Sequence, residues 1–192
     1  MVFPTQEAVR DILKRTAVAL KQADVPFALC GGYAAWARGA PEPEHDADFL
    51  VPETEAGTAR KAMEAAGLDV QQPAEDWLVK VVSGDAFVDV IWRVCGNPVE
   101  TDVIERAEVL PVLSVTMPVI TATDIISTRL MALTEQYCDY TRLFPAARAL
   151  REQVDWDEVR RAVASNEFAA TFVLLVERMG IIEPSRAEAT AS

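Results

Sequence analysis

Two β-forming runs in this chain carry carboxylates at positions where a strand interior ordinarily tolerates none. HDADFLV (45–51) sets Asp46 and Asp48 two residues apart, and AFVDVIWRV (86–94) sets Asp89 between Val88 and Val90. Side chains alternate across a strand, so Asp46 and Asp48 share one face while Ala47, Phe49 and Val51 take the other and anchor it in a core. A charge in the middle of such a run requires solvent, a partner or a metal.

The surrounding pattern predicts the elements that could build a sheet from such runs. Residues 5–23 repeat apolar positions at helical spacing (Val9, Ile12, Leu13, Thr16, Ala17, Leu20), with Thr5 as the cap and Asp24 and Pro26 as the stop. PFALC reads as a short buried strand, and Gly31-Gly32 turns it into a short helix, YAAWARG, that Gly39 ends. After the APEPEH connection come the Asp46 strand and a helix, ETEAGTARKAMEAAG, closed by Gly67. WLVKVV and AFVDVIWRV then form a hairpin about Ser83-Gly84-Asp85, and one further strand or edge segment falls within 109–119.

Beyond that point the period changes from strand-like to helical. Thr121 and Asp124 form a capping arrangement before IISTRLMALTEQ, and helical spacing continues through 141–151, 155–164 and 167–179. Pro184 and the polar, alanine-rich end predict that the last eight or so residues are loosely held. The expected fold is therefore α+β: a mixed β-sheet flanked by helices over residues 1–117, followed by a C-terminal helical region over 118–192. No internal repeat is evident.

Composition removes several function classes. Thirty acidic against eighteen basic residues give a formal net charge of -12, which opposes broad attraction to nucleic acid or an anionic membrane. Cys30, Cys95 and Cys138 form no CxxC pair, and His45 is the single imidazole, so a Cys/His zinc centre or a serine or cysteine hydrolase triad is disfavoured. Apolar runs are too short to span a bilayer and no signal core follows the start, making a reducing cytoplasm the expected compartment. Neither G-x-x-x-x-G-K-[ST] nor G-x-G-x-x-G occurs. Trp77, Trp92 and Trp156 read as packing residues, as do Tyr33 and Trp36, and Cys30 as an inert residue at a strand end.

The aspartates point to a divalent cation. Two carboxylates at close range repel, a cation removes much of that cost, and an all-oxygen donor set favours Mg²⁺ or Mn²⁺. If the Asp89 strand pairs beside the Asp46 strand, three carboxylates converge on a site able to hold metal against a transferring phosphate. Gly31-Gly32, at a strand-to-helix turn, allows close backbone approach to phosphate oxygens.

GGYAAWARG, HDADFLV and FVDVIW, in that order, resemble the minimal nucleotidyltransferases of the DNA polymerase β superfamily. The resemblance implies that Gly31 and Gly32 cradle the triphosphate of a nucleoside triphosphate (NTP), that Asp46 and Asp48 bind the metals, and that Asp89 completes the site and helps activate the acceptor. TATDIISTRLMAL and CDYTRLFPAARAL are similar to the helical portion of the AbiEii-type toxin group, where a lysine often faces the nucleotide. Arg129 is the nearest match and implies a bidentate phosphate contact. Asp139 corresponds loosely to a polar position after that helix.

One departure is visible: relatives carry arginine and threonine before D-x-D, where this chain has Glu42 and Glu44 in PEPEH. The implied activity is transfer of a nucleoside monophosphate to a hydroxyl on RNA, protein or a small molecule. The alternative is a nucleotide-binding or protein-interaction module without useful turnover, within a toxin and antitoxin arrangement.

Overall fold

The computed structural model describes residues 5–184, so the expectation of a loosely held C-terminal end falls largely outside the described residues. Two compact units are present, one of residues 5–37 and 42–120, the other of residues 38–41 and 121–184.

In the first unit the elements run α1 (Gln6–Gln22), β1 (Ala28–Cys30), α2 (Gly31–Ala37) and β2 (Ala47–Leu50). A 3₁₀ turn (Glu53–Glu55) leads into α3 (Ala56–Ala65), followed by β3 (Asp69–Gln71), β4 (Leu78–Ser83) and β5 (Ala86–Ile91). A small ribbon of β6 (Arg93–Val94) and β7 (Asn97–Pro98), a short α4 (Thr101–Glu105), and the hairpin of β8 (Glu108–Val112) and β9 (Val115–Val119) complete it. Seven strands form one mixed sheet in the order β3-β4-β5-β2-β1-β9-β8. β2 runs parallel to β5 and β1 parallel to β9, while the other neighbours are antiparallel.

Alternation decides which face is covered. On β5, Ala86, Val88 and Val90 are buried and Phe87, Asp89 and Ile91 are half-exposed. On β2, Ala47 and Phe49 are fully buried, as their spacing predicts. α1 packs against β4, β5 and α3 through Val9, Ile12, Leu13, Ala17 and Leu20. Thr5 caps it, accepting from the Ala8 amide at 3.3 Å.

The hairpins show what propensity missed. The segment expected as one strand is two, joined at Leu113 and Ser114, whose φ values of 51° and 69° give a turn with both central residues left-handed. That turn matches the twist of a tight hairpin but ordinarily advertises itself with Asn or Gly, and neither is present. Trp77 is a second correction: it is 39% exposed rather than packed, at the position just before β4.

In the second unit α5 (Ala122–Met131), a 3₁₀ turn (Tyr140–Arg142), α6 (Phe144–Leu150), α7 (Trp156–Ala162) and α8 (Glu167–Arg178) pack on one another. Phe172 is fully buried with Tyr140 and Phe144 tilted against it at 5.3 Å. Each helix start is specified locally. Thr121 accepts from the Asp124 amide at 3.1 Å, Asp155 from Glu158, and Asn166 from Phe168 and Ala169. Asp139 does the same for the 3₁₀ turn, accepting from Thr141, so its polar position is explained by capping. Among the described residues no helix is long and apolar enough to cross a membrane.

One buried hydroxyl is left over. Thr16, on the core face of α1, is fully buried and its Oγ1 has no hydrogen-bond partner. An unsatisfied buried polar group costs roughly 1–3 kcal/mol, and valine has the same shape without the hydroxyl. Thr16→Val is expected to raise stability by about 1 kcal/mol, roughly 2–4 °C in Tm for a chain of this size, as read by thermal melting.

Candidate active site

Register brings the three aspartates together. β2 and β5 are parallel neighbours with Asp48 opposite Asp89, and Asp46 immediately precedes β2. One carboxylate oxygen from each of Asp46, Asp48 and Asp89 lies within 4.8 Å of the others. Two charges at that range repel by roughly 3–4 kcal/mol at an effective dielectric of about 20. Oxygens bound to one Mg²⁺ at about 2.0–2.1 Å are at most about 4.2 Å apart, so the cluster needs little closure to hold such an ion. The donor set fits Mg²⁺ or Mn²⁺, all oxygen and all half-exposed on one face.

Gly31 is required here for two separate reasons. Its φ of +63° is left-handed, and a Cβ on it would fall 1.9 Å from Asp48 Oδ2. The glycine therefore lets the start of α2 close over the Asp48 carboxylate, next to the Cys30–Asp48 pairing of β1 with β2. Gly32 follows in the first turn of that helix.

Asp89 has a partner that the sequence reading did not name. Lys80 stands directly opposite it on β4, with Nζ donating to Oδ1 at 2.7 Å and Oδ2 at 3.0 Å. The same ammonium lies 4.2 Å from the centre of the Phe87 ring. Burial pushes the Asp89 carboxyl above its ordinary value; the Lys80 hydrogen bonds and charge oppose this, while Asp46 and Glu75 add to it. The hairpin contained the signal: a two-residue turn at Gly84 and Asp85, rather than three residues from Ser83, sets Lys80 opposite Asp89.

The glutamate departure also has a structural explanation. Glu42 is not offered to the site as a free charge: Arg10 from α1 grips both its carboxylate oxygens, one from Nε at 2.6 Å, and the Tyr33 hydroxyl donates to it at 3.3 Å. The Arg10 guanidinium lies 5.9 Å from the Trp36 ring, and Trp36 meets Tyr33 edge to face at 5.7 Å. Arg10 holds the Glu42 carboxyl below its ordinary range, and burial, then Glu42, push the Tyr33 hydroxyl up to about 12. This cluster of α1, α2 and residue 42 fixes the connection leading into Asp46. Glu44 is exposed, with His45 beside it at 3.8 Å. Arg129 belongs to the helical unit, half-exposed in the last turn of α5.

Two outcomes follow. Gly31→Ala meets both the φ penalty and the Asp48 carboxylate, whereas Gly67→Ala meets only the φ penalty (+73°, open space around the added carbon) of roughly 1–2 kcal/mol. Thermal melting should show the larger loss for Gly31→Ala, accompanied by weakened Mn²⁺ binding that Gly67→Ala leaves intact. Because the folded-state pKa of Glu42 is lowered from 4.5, its contribution to stability is present above that value and lost as pH falls through the folded one. Glu42→Gln should therefore flatten the fall in Tm between pH 6 and pH 3 relative to the parent chain.

No protein-family model and no curated protein matches this chain. Solved structures do. The structure of ANT(2'')-Ia in complex with adenylyl-2''-tobramycin aligns with a TM-score of 0.62 at 17% identity, over 85% of this chain and 98% of that one. The solution structure of the same antibiotic-resistance factor gives 0.56 at 16%, over 89% and 96%. Lincomycin-bound LnuA, a lincosamide antibiotic adenylyltransferase, gives 0.51 at 14%, over 80% of this chain and all of that one. At these identities the likeness is one of fold, and it is nearly complete along the neighbours' chains. The chain shares the fold of these nucleotidyltransferase structures.

Proposed function

We propose that this chain is a metal-dependent nucleotidyltransferase that moves a nucleoside monophosphate from an NTP to a hydroxyl of a small molecule, releasing pyrophosphate. The observation that carries the reading is the convergence of Asp46, Asp48 and Asp89 within 4.8 Å on an open sheet face of a nucleotidyltransferase-like fold. A divalent cation would offset the repulsion of these carboxylates, and nucleotidyl transfer uses such a cation beside phosphate.

Asp46 and Asp48 are the residues that would hold Mg²⁺ or Mn²⁺. When bound, the ion supplies charge neutralisation and polarisation of the α-phosphate. Gly31, whose missing Cβ lets the start of α2 lie against the Asp48 carboxylate, and Gly32 after it are assigned to the triphosphate. Asp89 orients the acceptor hydroxyl and takes its proton as the acceptor oxygen bonds to the α-phosphorus. The bond from that phosphorus to the pyrophosphate oxygen breaks, and the pair leaves with pyrophosphate. Burial, which raises the Asp89 carboxyl, makes it a better proton acceptor than an exposed aspartate.

A small hydroxylated acceptor is favoured by the neighbours of matching length, whose structures hold adenylyl-2''-tobramycin and lincomycin. The formal net charge of -12 argues against an extended RNA contact. The narrower similarity to AbiEii-type toxins would make RNA the acceptor, and the experiment separates the two.

Pyrophosphate release from each NTP is measured with Mg²⁺ or Mn²⁺ and pooled small-molecule, RNA and protein acceptors. Label transfer to small molecules, falling at least 100-fold in Asp46→Ala/Asp48→Ala and in Asp89→Asn while the fold is retained, is the expected result, a loss of about 2.7 kcal/mol or more in transition-state stabilisation. Transfer to RNA would reassign the acceptor. Nucleotide binding with no metal-dependent transfer to any acceptor would reduce the chain to a binding module.

A further inference from the structure

We propose that Lys80 is a positioning residue that reserves the Asp89 carboxylate for the acceptor by keeping a second divalent ion off it. The inference rests on the assignment of Asp46 and Asp48 as metal ligands.

The registers of four strand pairs place Gln71, Lys80, Asp89, Asp48 and Cys30 in one row across β3, β4, β5, β2 and β1. Asp89 thus stands between a cation on one flank and a carboxylate on the other. Neighbouring strands are about 4.8 Å apart, so the register keeps the backbones of both flanks beside Asp89. Lys80 itself is held from two directions, by both oxygens of Asp89 and by the Phe87 ring. A long, flexible ammonium fastened in this way is part of the site's fixed charge rather than a solvated surface group.

Charge and lone pairs lead to the same assignment. Three carboxylates and one ammonium leave two negative charges, which one divalent ion balances. Both Asp89 oxygens already accept from Nζ, so a second ion binding there would have to share them with an ammonium of the same sign. Lys80 supplies at the Asp89 flank the charge a second ion would otherwise supply. A hydroxyl, being neutral, can still donate to the remaining lone pairs of the carboxylate, where a second cation would meet the ammonium's charge. A purely structural role, neutralising a charge inside a hairpin, would make Lys80 important for stability and irrelevant to ion stoichiometry.

The test is Mn²⁺ binding to the full chain, followed by electron paramagnetic resonance of the free ion, for the parent chain, Lys80→Met, Lys80→Gln, Lys80→Arg, Asp89→Asn and Lys80→Met/Asp89→Asn. The expected result is one ion bound by the parent, with Lys80→Met and Lys80→Gln binding a second at least 10-fold more tightly than the parent does. Lys80→Arg should restore the parent's stoichiometry, and adding Asp89→Asn should abolish the gain. Parent-like stoichiometry and affinity in both Lys80→Met and Lys80→Gln would overturn the proposal, as would a gain that persists without the Asp89 carboxylate. A parent chain that binds no Mn²⁺ at millimolar concentration would instead overturn the metal-site assignment, and this inference with it.

Discussion

Three carboxylates on one sheet face repel one another, and much of the first unit is arranged so that this repulsion is held rather than relieved. The backbones carrying Asp48 and Asp89 could move apart only if β2 and β5 slipped in register, and a one-residue slip would turn either Ala47 and Phe49 or Val88 and Val90 out of the core. Burial of that apolar face therefore fixes the spacing of the charged face. Gly31 closes one side of Asp48 by lacking a side chain, and Lys80 closes one side of Asp89 by supplying a positive one. A site with its charges largely fixed in advance needs little reorganisation when a cation or a phosphate arrives.

The approach to the site is specified with comparable care. The connection into Asp46 carries prolines and glutamates, a composition that by itself suggests a solvated loop. Instead, Glu42 is gripped by Arg10 from the first helix and met by the Tyr33 hydroxyl from the second. The guanidinium is in turn stacked near Trp36. An interaction spanning 32 positions in sequence thus decides where Asp46 begins. It also changes the meaning of an acidic residue near a proposed triphosphate site: Glu42 spends its charge on Arg10 and is half-buried.

The helical unit is organised more simply. Side-chain caps at Thr121, Asp155 and Asn166 start its helices, and Asn166 also donates to the Leu133 carbonyl at 3.0 Å, tying the loop after α5 to the head of α8. Arg160 bridges α7 and α8 by gripping Glu177. These are local devices, and most were readable as capping residues ahead of periodic runs.

Legibility in the sequence follows the range of the interactions involved. The first helix, the strands bearing the aspartates and the capped C-terminal helices depend on period and on neighbours three or four residues away, so one sequence suffices to place them. The same holds for the shared face of Asp46 and Asp48, which strand alternation alone imposes. What tertiary structure decided was every relation set by pairing across the sheet or by contact between distant segments. Asp89 meets Asp48 because β5 lies parallel beside β2, although β3 and β4 intervene in the chain. Lys80 meets Asp89 because the hairpin turns on two residues rather than three. Leu113 and Ser114 turn a hairpin without glycine or asparagine, and Arg10 reaches Glu42, for reasons that lie in packing rather than in local propensity. The residue types needed for the chemistry were written in the chain; which charges neutralise one another was settled only when the strands chose their neighbours.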